Sequence, residues 1–255
     1  MHRFYIENIE GGAAIIDGSE AHHIKDVLRQ KAGDKVFLFD GTGSEYEAEI
    51  AGFRQAAAGA EVELKIISKV ARNAEPSVKI FLYQSLPRLK KFDFIVEKST
   101  ELGVCGIIPV ISERSNFNLP SERSSAKLGR WRKIALAAAK QCGRAFVPEV
   151  GDITKFEDAV KAVSKRQKCG PAGEEISIIP WESEEKTTLK DILRAPGRIL
   201  SSVNLFIGPE GGFSTGEIEL ASSAGIIPVS LGKRILRTET APIAVISNIL
   251  YETGK

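Results

Sequence analysis

Two stretches near the carboxyl end decide the fold: Val203-Asn-Leu-Phe-Ile-Gly-Pro-Glu-Gly-Gly-Phe-Ser-Thr215 and Val229-Ser-Leu-Gly-Lys-Arg-Ile-Leu-Arg-Thr-Glu-Thr-Ala241. The apolar runs Val203–Ile207 and Ile226–Leu231 each end at a glycine-bearing loop that leads into a helical pattern. A repeated strand, loop and helix is typical of an α/β fold with a parallel sheet. In open sheets of this kind, ligands bind beyond the carboxyl ends of the strands. The two loops together therefore indicate a small-molecule pocket.

The first loop, Gly208–Gly212, allows close approach of its backbone to a ligand because three of its five residues lack a side chain. It matches neither the Walker loop nor the dinucleotide-binding GxGxxG motif, so its phosphate-binding signal is weak. A purely structural interpretation is a turn into a helix whose capping box is Ser214 and Glu217. That interpretation leaves Glu210 unexplained, and we favour a functional role for the loop.

The second loop places two arginines, two threonines and a glutamate within Arg234–Thr240. Ile235 and Leu236 are predicted to form the wall of an apolar slot for a flat base, whose edge is read by free backbone N–H groups. For Thr240 alone, a role as the N-cap of the last helix is the better interpretation.

Strands and helices alternate from Ser77 onward, which implies a mainly parallel sheet with helices on both faces. Further strands are predicted over Val78–Tyr83, Cys105–Ile111 and Ile176–Ile179, and helices over Leu89–Leu102, Ala126–Cys142, Phe156–Val163, Leu189–Leu193 and Ala241–Glu252. Lys165–Glu175 carries charge, glycine and proline, and is predicted to be an exposed loop.

Residues 1–70 have a different pattern, which predicts a small β-barrel domain joined by a linker at 71–76 to a second domain at 77–255. Short strands are expected around Val36–Phe39, Glu45–Ile50 and Glu61–Ile66. A short helix is expected to begin at Ser19 as N-cap, with Ile24, Val27 and Leu28 on one face.

The composition, 43% hydrophobic and 27% charged with a formal net charge of +2, is ordinary for a globular protein. The three cysteines are far apart and no histidine lies in a metal-binding motif, so neither a disulfide framework nor a metal site is expected. No apolar run approaches the length of a membrane span, and the first residues lack the apolar core of a signal peptide. We therefore expect a cytoplasmic protein.

Positive charge is concentrated between Ser112 and Arg144, where eight Lys or Arg residues stand against two acids. Such an excess is able to contact phosphates. On charge alone, a solvated helix face explains it equally well.

Read together, several motifs closely resemble the RsmE-type members of the SPOUT RNA methyltransferases, over nearly the whole chain. These motifs are His22-His-Ile-x-x-Val-Leu-Arg, Asp40-Gly-x-Gly, Lys98-x-x-Glu-Leu-Gly-Val, Glu113-Arg-Ser, Gln141-Cys-Gly-Arg-x-x-x-Pro, Gly208-Pro-Glu-Gly-Gly-Phe-Ser and Leu231-Gly-x-Arg-Ile-Leu-Arg-x-Glu-Thr-Ala. The last two together are specific. One departure is Lys140, where relatives commonly carry an acid.

The resemblance implies N3-methylation of a uridine in 16S ribosomal RNA of the small subunit, with S-adenosylmethionine as donor. It also implies a PUA-like N-terminal barrel, a C-terminal domain with a deep trefoil knot, and a homodimer. A knot runs against the usual rule for chain topology, and no spacing in the sequence reveals it.

The resemblance assigns site residues by matching motifs. The donor site comprises Ile179, Pro180, Gly208, Pro209, Glu210, Gly211, Gly212, Leu231, Gly232, Ile235, Leu236 and Thr238. Candidates for catalysis are Arg114, Arg144 and Arg237, which would stabilise charge on the uracil oxygens, and Glu210; Glu239 or solvent are alternatives to Glu210 as the base. Candidates for RNA contact come instead from the barrel and the basic stretch: Arg3, His22, Arg29, Arg123, Arg130, Arg132, Lys133 and Arg144.

Two alternative functions stay open at this point. One is methylation of another RNA, since neither the barrel nor the basic stretch specifies a sequence. The other is a non-catalytic RNA-binding or ribosome assembly factor that retains the pocket as a relic, although the intact loops argue against such decay.

Overall fold

The computed structural model describes residues 2–56, 59–71, 75–88, 91–115, 121–167, 175–197 and 199–254, apart from the side chains of 121–123. The chain divides into two compact units. The first comprises Met1–Glu75 with Ala139–Val147, and the second comprises Pro76–Ala138 with Pro148–Lys255. The sequence, in contrast, predicts 139–147 as part of the second domain. Backbone hydrogen bonds from Val147 to Gly41 and from Gly43 to Ala145 explain why this segment groups with the first unit.

The first unit is built on a small, mainly antiparallel sheet, which confirms the expected character of this part of the chain. Its strands are β1 (Arg3–Tyr5), β2 (Ala13–Ile16), β3 (Lys35–Phe39), β4 (Glu45–Ala56) and β5 (Gly59–Val70), in the order β1-β3-β4-β5-β2. Among the described strands of this unit, only β1 and β3 pair in parallel. Alternate residues such as Leu38, Ile50 and Leu64 point into one apolar core.

The helix of the first unit differs from its prediction. The α-helix α1 (Gly18–His22) follows Asp17, whose side chain makes no capping hydrogen bond, so Ser19 is not the N-cap. A π-helical turn, His23–Val27, continues it. The wider turn shifts the side chains relative to α-helical spacing, and Val27 is exposed while Ile24 is buried. The predicted common face of Ile24 and Val27 was therefore wrong.

The second unit contains a seven-stranded sheet in which every recorded pairing is parallel. Its strands are β6 (Lys79–Ser85), β7 (Gly106–Ile111), β8 (Glu149–Val150), β9 (Thr154–Lys155), β10 (Glu175–Pro180), β11 (Ser202–Ile207) and β12 (Ile227–Val229). The order is β12-β10-β11-β6-β7-β8, with β9 also paired to β7. The predicted α/β fold with a mainly parallel sheet is confirmed.

Two groups of helices cover the sheet. The helices are α2 (Lys91–Glu101), α3 (Ser121–Cys142), α4 (Phe156–Gln167), α5 (Leu189–Leu193), α6 (Thr215–Ser223) and α7 (Thr240–Thr253). Helices α4 and α6 pack on each other and share an apolar core with Phe206 of β11 and Tyr83 of β6. Helix α7 packs against α2, α5 and β11. The start of α7 corrects one expectation: Thr240 is its first helical residue rather than its cap, and no side chain caps this end.

Of the loop predicted at 165–175, residues 168–174 lie outside the described residues, and α4 extends to Gln167. Within the described parts of the chain, no helix is both long enough and apolar enough to cross a membrane.

Candidate functional site

The candidate site lies where three neighbouring parallel strands end. Strand β10 pairs with β12 on one side and with β11 on the other. Their carboxyl ends, at Pro180, Ile207 and Val229, therefore meet at one edge of the sheet. The structure thus brings together the three chain segments that the family resemblance assigns to the donor site, and β6 adds a fourth strand beside β11.

The loop after β11 is shaped by its glycines. A Cβ atom on Gly208 would lie 3.3 Å from the backbone of Gly212 and from the ring of Phe213. Gly212 donates its N–H to the Pro209 carbonyl at 3.0 Å and has a φ angle of +67°. This left-handed conformation is costly for residues with a side chain. The loop therefore folds tightly back on itself and exposes backbone.

A buried chain of hydrogen bonds ties this loop to two other segments. The Thr238 hydroxyl donates to the Gly208 carbonyl at 2.6 Å, and the Gln84 amide donates to the Thr238 hydroxyl at 3.1 Å. Gln84 also donates to the Ser85 carbonyl, which fixes its amide orientation, since a carbonyl only accepts. The loops after β11 and β12 are thereby joined to the end of β6.

The loop after β7 braces the same loop from another side. Arg114 Nη1 donates to the Gly211 carbonyl at 2.8 Å. Ser214 and Glu217 form the predicted capping box at the start of α6. Glu113 accepts from the Ser214 hydroxyl at 2.5 Å and donates its backbone N–H to Glu217 at 2.8 Å. The motif Glu113-Arg-Ser therefore holds the glycine-rich loop in place.

Glu210, which the sequence left without a structural role, is engaged by two groups. Its carboxylate accepts the backbone N–H of Arg88 at 3.2 Å and pairs with the Lys91 ammonium at 3.1 Å. Partial burial raises the pKa of Glu210, but the hydrogen bonds and Lys91 outweigh it, and the net pKa is lowered. A carboxylate with a lowered pKa binds a proton weakly, so the structure argues against Glu210 as the general base.

One carboxylate beside the glycine-rich loop was missed by sequence reasoning. An ideal Cβ on Gly212 would lie 2.9 Å from Oε1 of Glu182, which follows β10. Glu182 thus stands at the junction of two of the candidate donor segments. Nothing in its local sequence distinguished it from the acids around it.

The remaining donor-site candidates differ in how they can contact a ligand. The side chain of Ile179 is buried in the apolar core that includes residues of α4 and α6, so its backbone is the part available to a ligand. Ile235 is 85% exposed, and Leu236 is half-buried. Gly232 has a φ angle of +99°, which lets the chain turn after Leu231.

The three candidate catalytic arginines lie in different environments. Arg144 is only 4% exposed and pairs with Glu75 through Nη2 at 2.7 Å, within the first unit. Arg114 is partly committed to Gly211. Arg237 is exposed, and its side chain makes no hydrogen bond or ion pair with any residue that the structure describes. Arg237 is next to the anchored Thr238, so its position is fixed while its donors are available.

The candidate RNA-binding residues of the first unit also differ in their environments. Arg3 pairs with the buried Glu45 at 2.6 Å and lies over the Phe39 ring, so its guanidinium is internal and unsuited to phosphate contact. His22 is exposed and pairs with Asp26, and Arg29 is exposed with a φ angle of +53°.

On α3, two of the candidate RNA residues already have protein partners. Arg130 pairs with Asp93 at 2.6 Å, and Arg132 donates to the Val150 carbonyl at 3.2 Å. Lys133 is exposed and pairs with no described residue. The side chain of Arg123 lies outside the described residues.

Sequence reasoning missed Gln84 and Lys91 as parts of this site. Gln84 had a detectable signal, because it is an amide that directly follows the apolar and aromatic run Ile80–Tyr83 in strand β6. Lys91 had none, since its partners are more than a hundred residues away.

Comparison with known proteins agrees with this architecture. A family model described as an RNA methyltransferase domain matches residues 74–250, and one described as an RNA methyltransferase PUA domain matches residues 16–56. The chain is 33% identical to ribosomal RNA small subunit methyltransferase E of Bacillus subtilis, over 99% of this chain and 97% of that protein. It is 34% identical to the protein of the same name from Buchnera aphidicola of Schizaphis graminum, over 92% and 89% of the two chains.

A solved structure gives the same result in three dimensions. The crystal structure of ribosomal RNA small subunit methyltransferase E from Neisseria gonorrhoeae, bound to S-adenosyl methionine, superposes with a TM-score of 0.81. It is 33% identical and covers 98% of this chain and 97% of that chain. The chain therefore belongs to the RsmE family of RNA methyltransferases, the family of ribosomal RNA small subunit methyltransferase E.

Proposed function

We propose that the protein is an S-adenosylmethionine-dependent methyltransferase that modifies N3 of a uridine in 16S ribosomal RNA of the small subunit. The observation that carries the proposal is the braced loop Gly208–Gly212 at the shared edge of β10, β11 and β12, in a chain of the RsmE family. The uridine and its N3 position rest on the family resemblance.

The residues at this edge fit an adenosine-containing donor. Gly232 has a left-handed backbone and open space where a Cβ would stand, so it leaves room for a ligand against the main chain, while Gly212 permits the left-handed turn of the first loop. Thr238, Arg114 and Arg88 hold the loop through its carbonyls and through Glu210, so the loop is ordered before a ligand arrives. Such preorganisation lowers the entropic cost of binding. When bound, the donor supplies an electrophilic methyl group.

We assign charge stabilisation on the substrate to Arg237. Removal of the N3 proton leaves negative charge on the uracil oxygens, and a guanidinium offers fixed donors for it. The guanidinium of Arg144 is already paired in a buried site, and that of Arg114 bonds a loop carbonyl. Arg237 is the candidate whose donors are uncommitted among the described residues.

We propose that solvent accepts the proton that leaves N3 of the uridine. Glu210 is a weakened base because of its lowered pKa, and Glu239 shares the ammonium of Lys91. Both carboxylates are therefore occupied in ion pairing. Their part in the reaction is to hold the loops after β11 and β12.

We further propose two whole-protein features that the family implies. One is a homodimer, for which exposed apolar side chains such as Ile199 and Tyr251 are available contacts. The other is the trefoil knot. The chain leaves β12 at the sheet edge, returns so that Thr238 meets Gln84 of β6, and then packs α7 on β11. A ribosomal RNA substrate would place the protein in the cytoplasm.

Mass mapping of small-subunit RNA tests the function directly. RNA from cells lacking the protein should gain one methyl group on one uridine after incubation with the protein and S-adenosylmethionine. The Arg237→Ala variant serves as the low-activity control. Methylation found only on another RNA would refute the assignment to the small subunit. Donor binding without methylation of any RNA would point to a non-catalytic binding factor.

A further inference from the structure

One lysine joins the two donor loops from outside the hydrogen-bonded core. Lys91, the first described residue of α2, lies 3.1 Å from Oε1 of Glu210 and 3.3 Å from Oε2 of Glu239. Glu210 belongs to the loop after β11, and Glu239 to the segment after β12. A single ammonium therefore bridges two carboxylates that come from different loops.

The two carboxylates depend on this cation. Both carboxylates lie within 3.3 Å of the same ammonium, so they are held near each other. Two negative charges held so close repel each other. The Lys91 and Glu210 side chains are each 31% exposed and Glu239 is 19% exposed, so water screens the repulsion only partly. Without Lys91, the loops that carry them would tend to separate.

Lys91 and Glu210 are both charged near neutral pH. Hydrogen bonding to Glu210 is the leading cause that raises the pKa of Lys91, while the pKa of Glu210 is lowered. The contact between Lys91 and Glu210 is therefore an ion pair near neutral pH.

The same two loops are also joined on their inner side. There the Thr238 hydroxyl donates to the Gly208 carbonyl, from a buried position. Thr238 and Glu239 are consecutive, and Gly208 and Glu210 are two residues apart. The two loops are therefore joined at two places, by the hydrogen bond of Thr238 and by the ion pairs of Lys91.

We propose that Lys91 is a positioning residue that sets the separation of the Gly208–Gly212 loop from the 231–239 loop, and thereby the width of the donor pocket. The inference rests on the proposed function, because the width matters only if a donor binds between these loops. Lys91 contacts neither donor nor RNA in this proposal and acts through Glu210 and Glu239.

The test compares Lys91→Met with Lys98→Met. Lys98 is a matched control, because it lies on the same helix and also pairs with two glutamates, Glu97 and Glu101, which belong to that helix. For Lys91→Met we expect the Kd and KM for S-adenosylmethionine to rise about tenfold, with kcat nearly unchanged. Lys98→Met should match the wild type in all three, and Lys91→Arg should retain most of the affinity.

Charge removal provides the rescue experiment. The triple variant Lys91→Met, Glu210→Gln, Glu239→Gln no longer has two opposed carboxylates, so it should bind the donor more tightly than Lys91→Met alone. A purely local loss of stability would not be reversed in this way. If Lys91→Met does not fold, Glu239→Gln removes one half of the bridge and should raise the donor KM to a smaller extent.

Hydrogen exchange separates this inference from the proposed function. Lys91→Met should increase amide exchange in both loops without any donor present, whereas Lys98→Met should not. Wild-type donor affinity in folded Lys91→Met, or unchanged exchange in both loops, would overturn the positioning role. Faster exchange in a protein whose wild type does not bind S-adenosylmethionine would instead refute the proposed function and leave the bridge itself supported.

Discussion

At the scale of single residues, many polar groups of the candidate site already make the contacts that hold its loops in place. Carbonyls of the glycine-rich loop accept from Thr238 and Arg114, and its carboxylate is held by Lys91. These contacts fix the loop but reduce the number of groups left for ligand. In the proposed function, exposed backbone and Arg237 are therefore the groups left for ligand and substrate.

Substitution of Gly212 by valine should abolish donor binding and leave the fold largely intact. The φ angle of +67° disfavours a β-branched residue, and the new side chain would meet Glu182. Calorimetry with S-adenosylmethionine measures the effect. Gly216→Val is the control, because Gly216 lies in α6 with open space around it. Wild-type affinity in folded Gly212→Val would remove this loop from the donor site.

Substitution of Arg237 by alanine should lower kcat about a hundredfold and leave the donor Kd unchanged, because its guanidinium acts on charge that develops in the transition state. Single-turnover methylation of small-subunit RNA measures the rate. Arg234→Ala, an exposed arginine of the same loop, should have a much smaller effect. Equal losses in the two variants would indicate a general electrostatic effect of the loop on RNA binding.

Substitution of Arg144 by alanine should destabilise the protein, since it leaves a partly buried carboxylate without its cation. Breaking a fully buried pair costs several kcal/mol, and Glu75 is 28% exposed, so we expect a loss of about 2 kcal/mol. Urea unfolding measures it. Lys140→Met, in the same segment, breaks the more exposed pair with Glu20 and should cost less than about 1 kcal/mol. Unchanged stability with slower methylation would return Arg144 to the catalytic candidates.

At the scale of elements, the sequence predicted most helices and strands because each carries its own periodic pattern. The capping box of α6 was recognisable because Ser214 and Glu217 are three residues apart. The caps of α1 and α7 were not, because Ser19 and Thr240 have the right residue type at positions where the chain is already helical. No local pattern indicated Lys91, since its partners Glu210 and Glu239 come near it only when β6, β11 and β12 lie in one sheet.

Helix α3 provides the element-scale prediction. Neutralising Arg130, Arg132 and Lys133 together should weaken the salt dependence of RNA binding. The slope of log K against log salt concentration should fall by the amount expected for the loss of up to about three phosphate contacts. Lys133 should contribute most, because Arg130 and Arg132 already have protein partners. Filter binding over a range of salt concentrations measures the slope, and donor affinity should stay unchanged. An unchanged slope would identify this face as merely solvated.

At the scale of the whole molecule, the sequence indicated two domains, and the structure adds that Ala139–Val147 groups with the first unit. No composition shift marks this segment, because it continues the helix α3. Its attachment depends on pairings such as Arg144 with Glu75 and Phe146 with Gly41, which form across long sequence separations. Such contacts are set by the fold and leave no local pattern.

A chain that begins at Ser77 tests how the two units divide the work. It should keep the parallel sheet and bind S-adenosylmethionine, because every loop of the candidate donor site lies in the second unit. It should lose most RNA affinity, since the PUA-like part would no longer contribute to the footprint.

The shortened chain should also unfold at lower urea concentration than the full chain, because Arg144 then lacks Glu75. Adding Arg144→Gln to the shortened chain should recover part of that stability without restoring RNA binding. Equal RNA affinity of the shortened and full-length chains would contradict this division, and loss of donor binding in a folded shortened chain would show that the first unit supports the pocket.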